Sequence, residues 1–344
     1  MGSQPDAEMT SDTNSPAPAK GTMRAIVQDA YGSPDVFRLT RISTPDVADN
    51  QVLVRVHAAG LDRGTWHLMA GRPYLLRLAF GFSRPKNPVP GLDFAGTVIA
   101  VGSAVTRFSP GEDVFGTGEG SFAEYAVAPE DQLARKPDSL SFEQAAVVPV
   151  SGLTALQALT DVGHLQPGQQ VLIIGASGGV GSYAVQLAKA LGAEVTGVSS
   201  TAKLDLVRSL GADHVIDYTR DDFADGAHRY DLILDIAGNP ALSRLRRALT
   251  PTGTAVIVGG EQGGRLTGGL DRQFRAKAVS LFVRQRMTFF LSKERASDLE
   301  RITEFIEAGK LTPSIDRIFP LDQVPEAMRH LEAGEARGKI AITV

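Results

Sequence analysis

The sequence predicts an α/β protein in which a doubly wound parallel sheet is combined with a separate β-rich domain. The chain has 344 residues, a length that accommodates two domains. From Thr22 to about Ser139, short β-rich runs are separated by Gly and Pro, which is typical of a β-rich domain. Beyond Phe142, strand-like and helix-like segments alternate, which indicates a parallel sheet covered by helices.

Composition and charge exclude several classes of function. Apolar residues make up 43% of the chain and charged residues 22%, as in an ordinary globular protein. The net charge of −4 and the lack of a basic tract argue against nucleic acid or a membrane as partner. The chain has no cysteine, which excludes disulfides and thiolate metal sites.

The first 21 residues are predicted to form a disordered tail. They are rich in Ser, Pro, Asp, Thr and Ala and lack the apolar core of a signal peptide. Apolar runs elsewhere fall far short of the ~20 residues that a membrane helix needs. We therefore expect a cytoplasmic protein.

The predicted elements divide residues 22–344 into three segments. In residues 22–144, strand-like runs occur at 23–27, 51–56 and 97–102. Residues 145–284 contain the alternating units, with strands at 171–174, 194–198, 214–216, 230–236 and 254–258 and helices at 180–191, 201–210 and 240–249. Residues 285–344, with helices at 296–308 and 324–333 and a last strand at 339–344, are expected to return to the β-rich domain.

A glycine-rich loop joins the first strand of the alternating segment to its first helix. Glycines at this spacing permit a tight turn and close approach of the backbone to a pyrophosphate, which the helix N-terminus attracts. Because the loop follows a strand and opens a helix, it indicates a Rossmann-type dinucleotide site rather than a simple turn. The cofactor-binding residues predicted in this loop are Gly175, Ser177, Gly178, Gly179, Val180 and Gly181.

The end of the second strand favours NADPH over NADH. An NAD site usually has Asp or Glu there, whereas this chain has Ser199 and Ser200, followed by Lys203. The hydroxyls and the ammonium can bind a 2′-phosphate, and Tyr218, after the third strand, can contribute a hydroxyl. Two alternatives stay open: Ser200 could simply cap the next helix, and Lys203 could be a solvated charge.

Several separated motifs resemble the medium-chain dehydrogenase/reductase superfamily. These are Pro90–Gly96, Gly111–Phe115 and Gly120–Tyr125, together with a segment 172–218 that is similar to the quinone oxidoreductase branch. The resemblance covers about residues 22–344. It implies a GroES-like catalytic domain, split in sequence, on either side of a Rossmann domain.

The resemblance also implies that the chain uses no catalytic zinc. Zinc members carry a Cys in the segment that matches 59–63 and Gly-His-Glu where this chain has Gly91-Leu92-Asp93. Asp62 and Leu92 replace two of those ligands, and Leu92 offers no ligand atom. His57 and His67 are isolated and are better explained as packing, surface or substrate contacts. No metal site is predicted.

The remaining candidate residues surround the nicotinamide end of the site. Ala237, Gly238 and Gly259 follow the fourth and fifth strands, at the carboxyl edge where ligands bind. The resemblance adds Thr154 near the nicotinamide, and Phe282 and Val283 as the start of a sixth strand that builds a dimer. It also suggests Tyr74 as a proton donor after a one-residue shift, with Asp62 or water as substitutes; Tyr74 could also only pack.

These residues predict an NADPH-dependent reductase of a quinone or of the C=C bond of an enone, acting as a homodimer on a small molecule. An enoyl-thioester reductase of the same fold is the first alternative, for which the basic residues Arg63, Arg72, Arg77, Arg84 and Lys86 could bind a pantetheine phosphate, although a solvated charged loop explains them as well. The second alternative is a non-catalytic NADPH-binding protein, which the cofactor loop does not exclude.

The absence of a ligand atom at Leu92 leads to a first prediction. We expect full activity after treatment with a chelator and no stoichiometric zinc in the purified protein, because a catalytic zinc needs three protein ligands. Elemental analysis that found about one zinc per chain, lost together with activity, would contradict this.

Overall fold

A computed structural model of the protein describes residues 21–259, 264, 266–280 and 282–344. Of the predicted disordered tail, only Gly21 lies within the described residues. The strands are β1 (Thr22–Val27), β2 (Arg38–Ser43), β3 (Gln51–Leu61), β4 (Asp93–Val101), β5 (Asp113–Thr117), β6 (Tyr125–Pro129), β7 (Leu133–Arg135), β8 (Gln170–Ile174), β9 (Glu194–Ser199), β10 (His214–Asp217), β11 (Tyr230–Asp235), β12 (Leu249–Ile257), β13 (Arg286–Phe289), β14 (Ile315–Pro320) and β15 (Lys339–Thr343). The α-helices are α1 (Arg63–Ala70), α2 (Arg77–Phe80), α3 (Phe142–Ala146), α4 (Pro149–Gln157), α5 (Gly179–Ala190), α6 (Leu204–Ser209), α7 (Leu242–Ala248), α8 (Leu270–Ser280), α9 (Ala296–Glu307) and α10 (Val324–Glu332).

Strands from the two ends of the chain form a mixed sheet. Its order is β14-β15-β3-β4-β5-β7, and β6 pairs with β3. The C-terminal strand β15 runs antiparallel to β3, with Ile340 opposite Leu61. This pairing carries Lys339, at the start of β15, close to the residues that follow β3.

The middle of the chain forms a parallel six-stranded sheet in the order β10-β9-β8-β11-β12-β13. This is the strand order of a dinucleotide-binding doubly wound fold, so the predicted fold class is confirmed. Residues 171–174 of β8 are buried without interruption, because helices cover both faces of a parallel sheet. The order reverses beside β8, which places a crevice at the carboxyl ends of β8 and β11.

The sequence misplaced the sixth strand. Val279 and Ser280 belong to the end of α8, Phe282 lies in a turn, and the strand is β13 at Arg286–Phe289. Leu281, in the apolar run from Val279 to Val283, lies outside the described residues. A short apolar run satisfies a helix or a strand equally well, and here the helix takes the first part of it.

Two short helices also interrupt the segment predicted to be β-rich. Asp62 caps the N-terminus of α1 by accepting a hydrogen bond from Thr65 N at 2.8 Å, and Gly71 ends it with a φ of 59°. Helix α2 follows within a few residues. Among the described residues, no helix is long and apolar enough to cross a bilayer.

Candidate cofactor-binding site

The glycine-rich loop makes a turn that only glycine can adopt. Gly175 has a φ of 88°, and a Cβ there would lie 2.6 Å from the Ala237 side chain. A Cβ on Gly181 would lie 2.1 Å from the Gly175 carbonyl oxygen. The lack of side chains at Gly175 and Gly181 therefore lets the N-terminus of α5 pack tightly against the end of β8.

The N-terminus of α5 fits an anionic group. Ser182 N donates to the Gly178 carbonyl at 2.9 Å, so the three N–H groups before it have no partner within the helix. A Cβ on Gly178 would contact only the Gly175 carbonyl oxygen, at 3.5 Å, so the space beside Gly178 is open. Open space beside free N–H groups at the positive end of a helix dipole suits a pyrophosphate.

The predicted ribose-side residues lie together at the ends of β9 and β10. Ser199 is buried, and its hydroxyl is 2.7 Å from that of Ser177 in the glycine-rich loop. Tyr218 N donates to the Ser199 carbonyl at 3.1 Å, and the Tyr218 side chain is 62% exposed. Ser200 occupies the N-cap position of the helical turn at Thr201–Lys203, but its side chain makes no capping hydrogen bond.

Lys203 joins this group to a distant part of the chain. Its ammonium donates to the carbonyls of Gly334 and Ala336, at 2.7 and 2.8 Å, in the loop between α10 and β15. Lys203 is therefore not simply a solvated charge. The loop that Lys203 contacts also contains Arg337, an exposed cation that the sequence reasoning missed.

One carboxylate does lie near the end of β9. Asp217 is opposite Ser199 in the register of β10 and β9. One of its oxygens accepts a hydrogen bond from Thr201 and the other accepts from Thr219 Oγ1 at 2.7 Å, and these bonds hold the pKa of Asp217 below its usual value. Both oxygens are thus engaged by neighbouring hydroxyls.

The residues predicted for the nicotinamide side lie at the carboxyl ends of β11 and β12 and close to that of β13. Thr154 Oγ1 donates to the Val150 carbonyl at 2.6 Å and lies 3.2 Å from the hydroxyl of Ser292, which follows β13. Gly238 has a φ of 99°, and a Cβ on Gly259 would lie 2.2 Å from the Ile236 carbonyl oxygen. Ser292 is a second residue that the sequence reasoning missed.

A buried ion pair fixes helix α8 to the same edge. Arg272 donates to Asp235 Oδ2, at the end of β11, at 2.6 Å and to the Pro240 carbonyl at 2.8 Å. Burial raises the pKa of Asp235 to about 6, against the opposing effect of Arg272. The pair holds the first turn of α8 beside the crevice.

Phe282 and Val283 do not belong to this edge. Both precede β13, which runs parallel to β12, so they lie near its amino end and not its carboxyl end. Phe282 is 87% exposed. Their prediction as residues of the sixth strand is wrong, and with it the reason for placing them beside the nicotinamide.

Tyr74 lies where the β-rich part meets the segment after β12. Leu75 N donates to the Leu266 carbonyl at 3.4 Å, and a Cβ on Gly268 would lie 2.5 Å from Pro73. Tyr74 is 40% exposed, and the Arg77 guanidinium lies 4.8 Å from its ring. Tyr74 is thus partly exposed beside the contact between these two segments.

Asp62 is buried at the start of α1 and holds that helix. Its Oδ1 accepts from Thr65 N, while its Oδ2 is buried without a hydrogen bond. The two isolated histidines have local partners: His57 Nε2 lies 3.1 Å from Thr97 Oγ1, and His67 Nδ1 lies 2.7 Å from the Arg72 carbonyl. Neither contact points to a metal.

Comparisons with known proteins agree with this geometry. Residues 48–138 match the model of the alcohol dehydrogenase GroES-like domain, and residues 210–342 match that of a zinc-binding dehydrogenase. A 2-methylene-furan-3-one reductase of Solanum lycopersicum is 33% identical over 339 residues, which cover 93% of this chain and 79% of the relative. The chain belongs to the medium-chain dehydrogenase/reductase superfamily. Its place is in the zinc-independent, quinone oxidoreductase-like branch.

Two further similarities indicate the same kind of chemistry. A chloroplastic NADPH-dependent alkenal/one oxidoreductase of Arabidopsis thaliana is 32% identical, over 93% of this chain and 79% of the relative. The solved quinone oxidoreductase of Coxiella burnetii is 31% identical, with a TM-score of 0.81 over 94% of this chain and 100% of that one. This chain is an oxidoreductase that uses a nicotinamide cofactor.

Two glycines of the loop offer a matched pair of substitutions. Gly181→Ala should lower the free energy of unfolding of the cofactor-free protein by about 1–3 kcal/mol, because its Cβ has no room. Gly178→Ala should stay within about 1 kcal/mol of wild type, because its Cβ enters open space. It should nevertheless weaken cofactor binding, since that space is where the pyrophosphate fits. Denaturant titration measures the free energy of unfolding, and a fluorescence titration measures cofactor binding. An equal loss of unfolding free energy in the two variants would contradict the steric argument.

Proposed function

We propose that this protein is an NADPH-dependent reductase that transfers a hydride to a quinone or to the C=C bond of an α,β-unsaturated carbonyl compound. The observation that carries this is the combination of a complete dinucleotide edge with Leu92 at a position where zinc members have a ligand. Oxidation of an alcohol by zinc members relies on that metal as a Lewis acid. A conjugated acceptor needs no such activation.

The mouth of the crevice favours an apolar acceptor. The loop from Pro73 to Phe82, which contacts the segment after β12, exposes several large apolar side chains: Leu75 at 41%, Leu78 at 72%, Phe80 at 46% and Phe82 at 80%. Exposed apolar groups of this density mark binding surfaces. They suit the ring of a quinone or the carbon chain of an enone.

The structure gives less support to a thioester substrate. Arg77 stacks on the rings of Tyr31 and Tyr74, with its guanidinium 4.5 and 4.8 Å from the ring centres, and donates to the Gly71 carbonyl at 2.9 Å. Arg63 lies over Trp66 at 5.3 Å. Two of the five cations considered for a pantetheine phosphate are therefore packed on aromatic rings of the protein, and Arg77 also holds its own loop.

The chain's own residues supply binding and a proton. A reduced nicotinamide cofactor supplies a hydride when it is bound. The N–H groups at the start of α5 would hold its pyrophosphate, and Thr154 and Ser292 would form a polar wall at the nicotinamide end. An acceptor that has taken up a hydride then needs a proton, a role that we assign to Tyr74, which is 40% exposed, rather than to the buried Asp62.

A panel of acceptors tests the proposed function. We expect NADPH oxidation, followed by absorbance, with quinones and enones at rates at least ~10-fold above those with saturated ketones, alcohols in the reverse direction, or enoyl thioesters. Product analysis must show a hydroquinone or a saturated carbonyl compound. NADPH binding without turnover of any acceptor would instead support the non-catalytic alternative.

Removal of one hydroxyl tests the proton donor. Tyr74→Phe should lower kcat for enones by about 10²-fold, because general acid catalysis contributes at least that much. Tyr31→Phe is the control, since the Tyr31 hydroxyl only donates to the Gly81 carbonyl, at 2.6 Å, and supports the same loop. If both variants lose activity equally, Tyr74 acts through packing and not as the acid.

Preference for NADPH rests on the cations beside Ser199 and Ser200. Lys203, fixed by the carbonyls of Gly334 and Ala336, lies in the turn after β9, and Arg337 follows Ala336 directly. Together they supply the positive charge that a 2′-phosphate requires, while the nearest carboxylate, Asp217, is occupied by Thr201 and Thr219. We infer that Lys203 and Arg337 bind the 2′-phosphate and so distinguish NADPH from NADH.

Lys203→Ala should therefore weaken NADPH binding by roughly 10–150-fold, the equivalent of one charge-assisted hydrogen bond, and leave NADH binding nearly unchanged. Lys203→Arg should retain the preference because it keeps the charge. Ser200→Asp should shift preference towards NADH by adding repulsion. Equal losses for NADPH and NADH in Lys203→Ala would mean that the residue only anchors the loop after α10.

Assembly and location remain predictions. The structure moves the edge of the parallel sheet to β13, so a homodimer joined edge to edge would use Arg286–Phe289 and not the segment first predicted. A location in the cytoplasm also stays a prediction, since one of the relatives is chloroplastic.

A further inference from the structure

A fully buried cluster of charged side chains lies where β15 meets the glycine-rich loop. The side chains of Lys339 and Asp93 are 1% and 0% exposed. The Lys339 ammonium lies 3.5 Å from Asp93 Oδ2 and donates to Ser151 Oγ at 3.1 Å. Asp93 Oδ1 accepts from Val150 N, at the start of α4, at 3.0 Å.

The cluster is directly behind the proposed pyrophosphate site. A Cβ on Gly179, the first residue of α5, would lie 3.1 Å from Lys339 Cδ and 3.3 Å from Ser151 Oγ. Gly338 N, next to Lys339, donates to the carbonyl of Ser177 in the loop at 2.9 Å. Because Lys339 and Ser151 are buried, the electrostatic interaction between the cluster and the α5 N-terminus is weakly screened.

The charges of the cluster do not balance if every group is ionised. Asp62 is close enough for its carboxylate to act on Asp93, and Oδ1 of Asp62 accepts hydrogen bonds from Thr65 N and Oγ1, at 2.8 and 3.2 Å. Two carboxylates against the single Lys339 ammonium would leave a net negative charge in a dry site, which is costly.

One added proton removes the imbalance. Oδ2 of Asp62 and Oδ2 of Asp93 are both buried without a hydrogen bond, and the Lys339 ammonium, 3.5 Å from Asp93 Oδ2, can neutralise only one of the two carboxylates; a proton on Asp93 neutralises the other. Burial, reinforced by Asp62, raises the pKa of Asp93 to about 8, although Lys339 and Val150 N oppose this. Tyr183, the other titratable group near Asp93, stays neutral because burial raises its pKa well above its usual value.

We propose that Asp93 carries a proton at neutral pH, so that the charge of Lys339 remains available to the cofactor pyrophosphate, and that losing this proton weakens cofactor binding. Asp93 and Lys339 are then positioning residues of the cofactor site. The proposal rests on the dinucleotide site at the glycine-rich loop and not on the choice of acceptor.

The sign of the pH dependence follows from the raised pKa. Below about pH 8 the cluster is neutral and cofactor affinity is constant; above it the cluster becomes negative and repels the pyrophosphate. The dissociation constant of NADPH should rise about tenfold between about pH 7 and about pH 9.

Binding titrations across this pH range, followed by the fluorescence of the single tryptophan or by calorimetry, test the proposal. Asp93→Asn should bind NADPH at high pH as tightly as the wild type does at neutral pH. Lys339→Met should bind more weakly throughout. Asp213→Asn, which removes a carboxylate paired with Lys189 elsewhere in the same sheet region, is the matched control and should retain the wild-type pH dependence.

Two further measurements guard against a variant that fails to fold. Asp62→Asn should move the rise in the dissociation constant to lower pH, because a like charge no longer opposes ionisation of Asp93. Infrared difference spectra of the cofactor-free wild type should show a protonated carboxyl group at neutral pH that disappears above about pH 8. Constant NADPH affinity across the range would overturn this proposal alone, whereas failure to bind any dinucleotide would overturn the cofactor site as well.

Discussion

The contact between Gly181 and the Gly175 carbonyl is the constraint on which the cofactor edge depends. Because no Cβ fits between them, the chain can leave β8 and enter α5 within a few residues. That short connection aims the free N–H groups of α5 at the carboxyl edge of the sheet, where β9 and β11 also end. A wider turn would move the positive end of the helix away from the crevice.

The C-terminal segment completes this edge from the other part of the protein. The stretch from Gly334 to Lys339 reaches it through Lys203, through the bond from Gly338 N to Ser177, and through Lys339 itself. The two parts therefore meet at the proposed cofactor site.

Local patterns were sufficient to predict the parallel sheet and the glycine-rich loop, since each depends on residues close in sequence. Phe282 and Val283 were misplaced because a short apolar run does not reveal whether it ends a helix or begins a strand. The contacts of Lys203 with the loop after α10 could not be predicted, because they join residues more than 130 positions apart. Ser292 was missed because its role depends on where β13 ends.

The positions that hold a metal in zinc members of the superfamily have here become a buried network of charges. Asp62 takes the place of one ligand, Asp93 directly follows Leu92, and the buried Lys339 ammonium lies 3.5 Å from Asp93 Oδ2. A lysine cannot polarise an alcohol as a metal does. Its positive charge instead compensates buried carboxylates and, as proposed here, attracts a pyrophosphate bound at the glycine-rich loop. The loss of zinc ligands thus removes metal-assisted oxidation of an alcohol. Lys339 remains as a buried positive charge behind the proposed cofactor site.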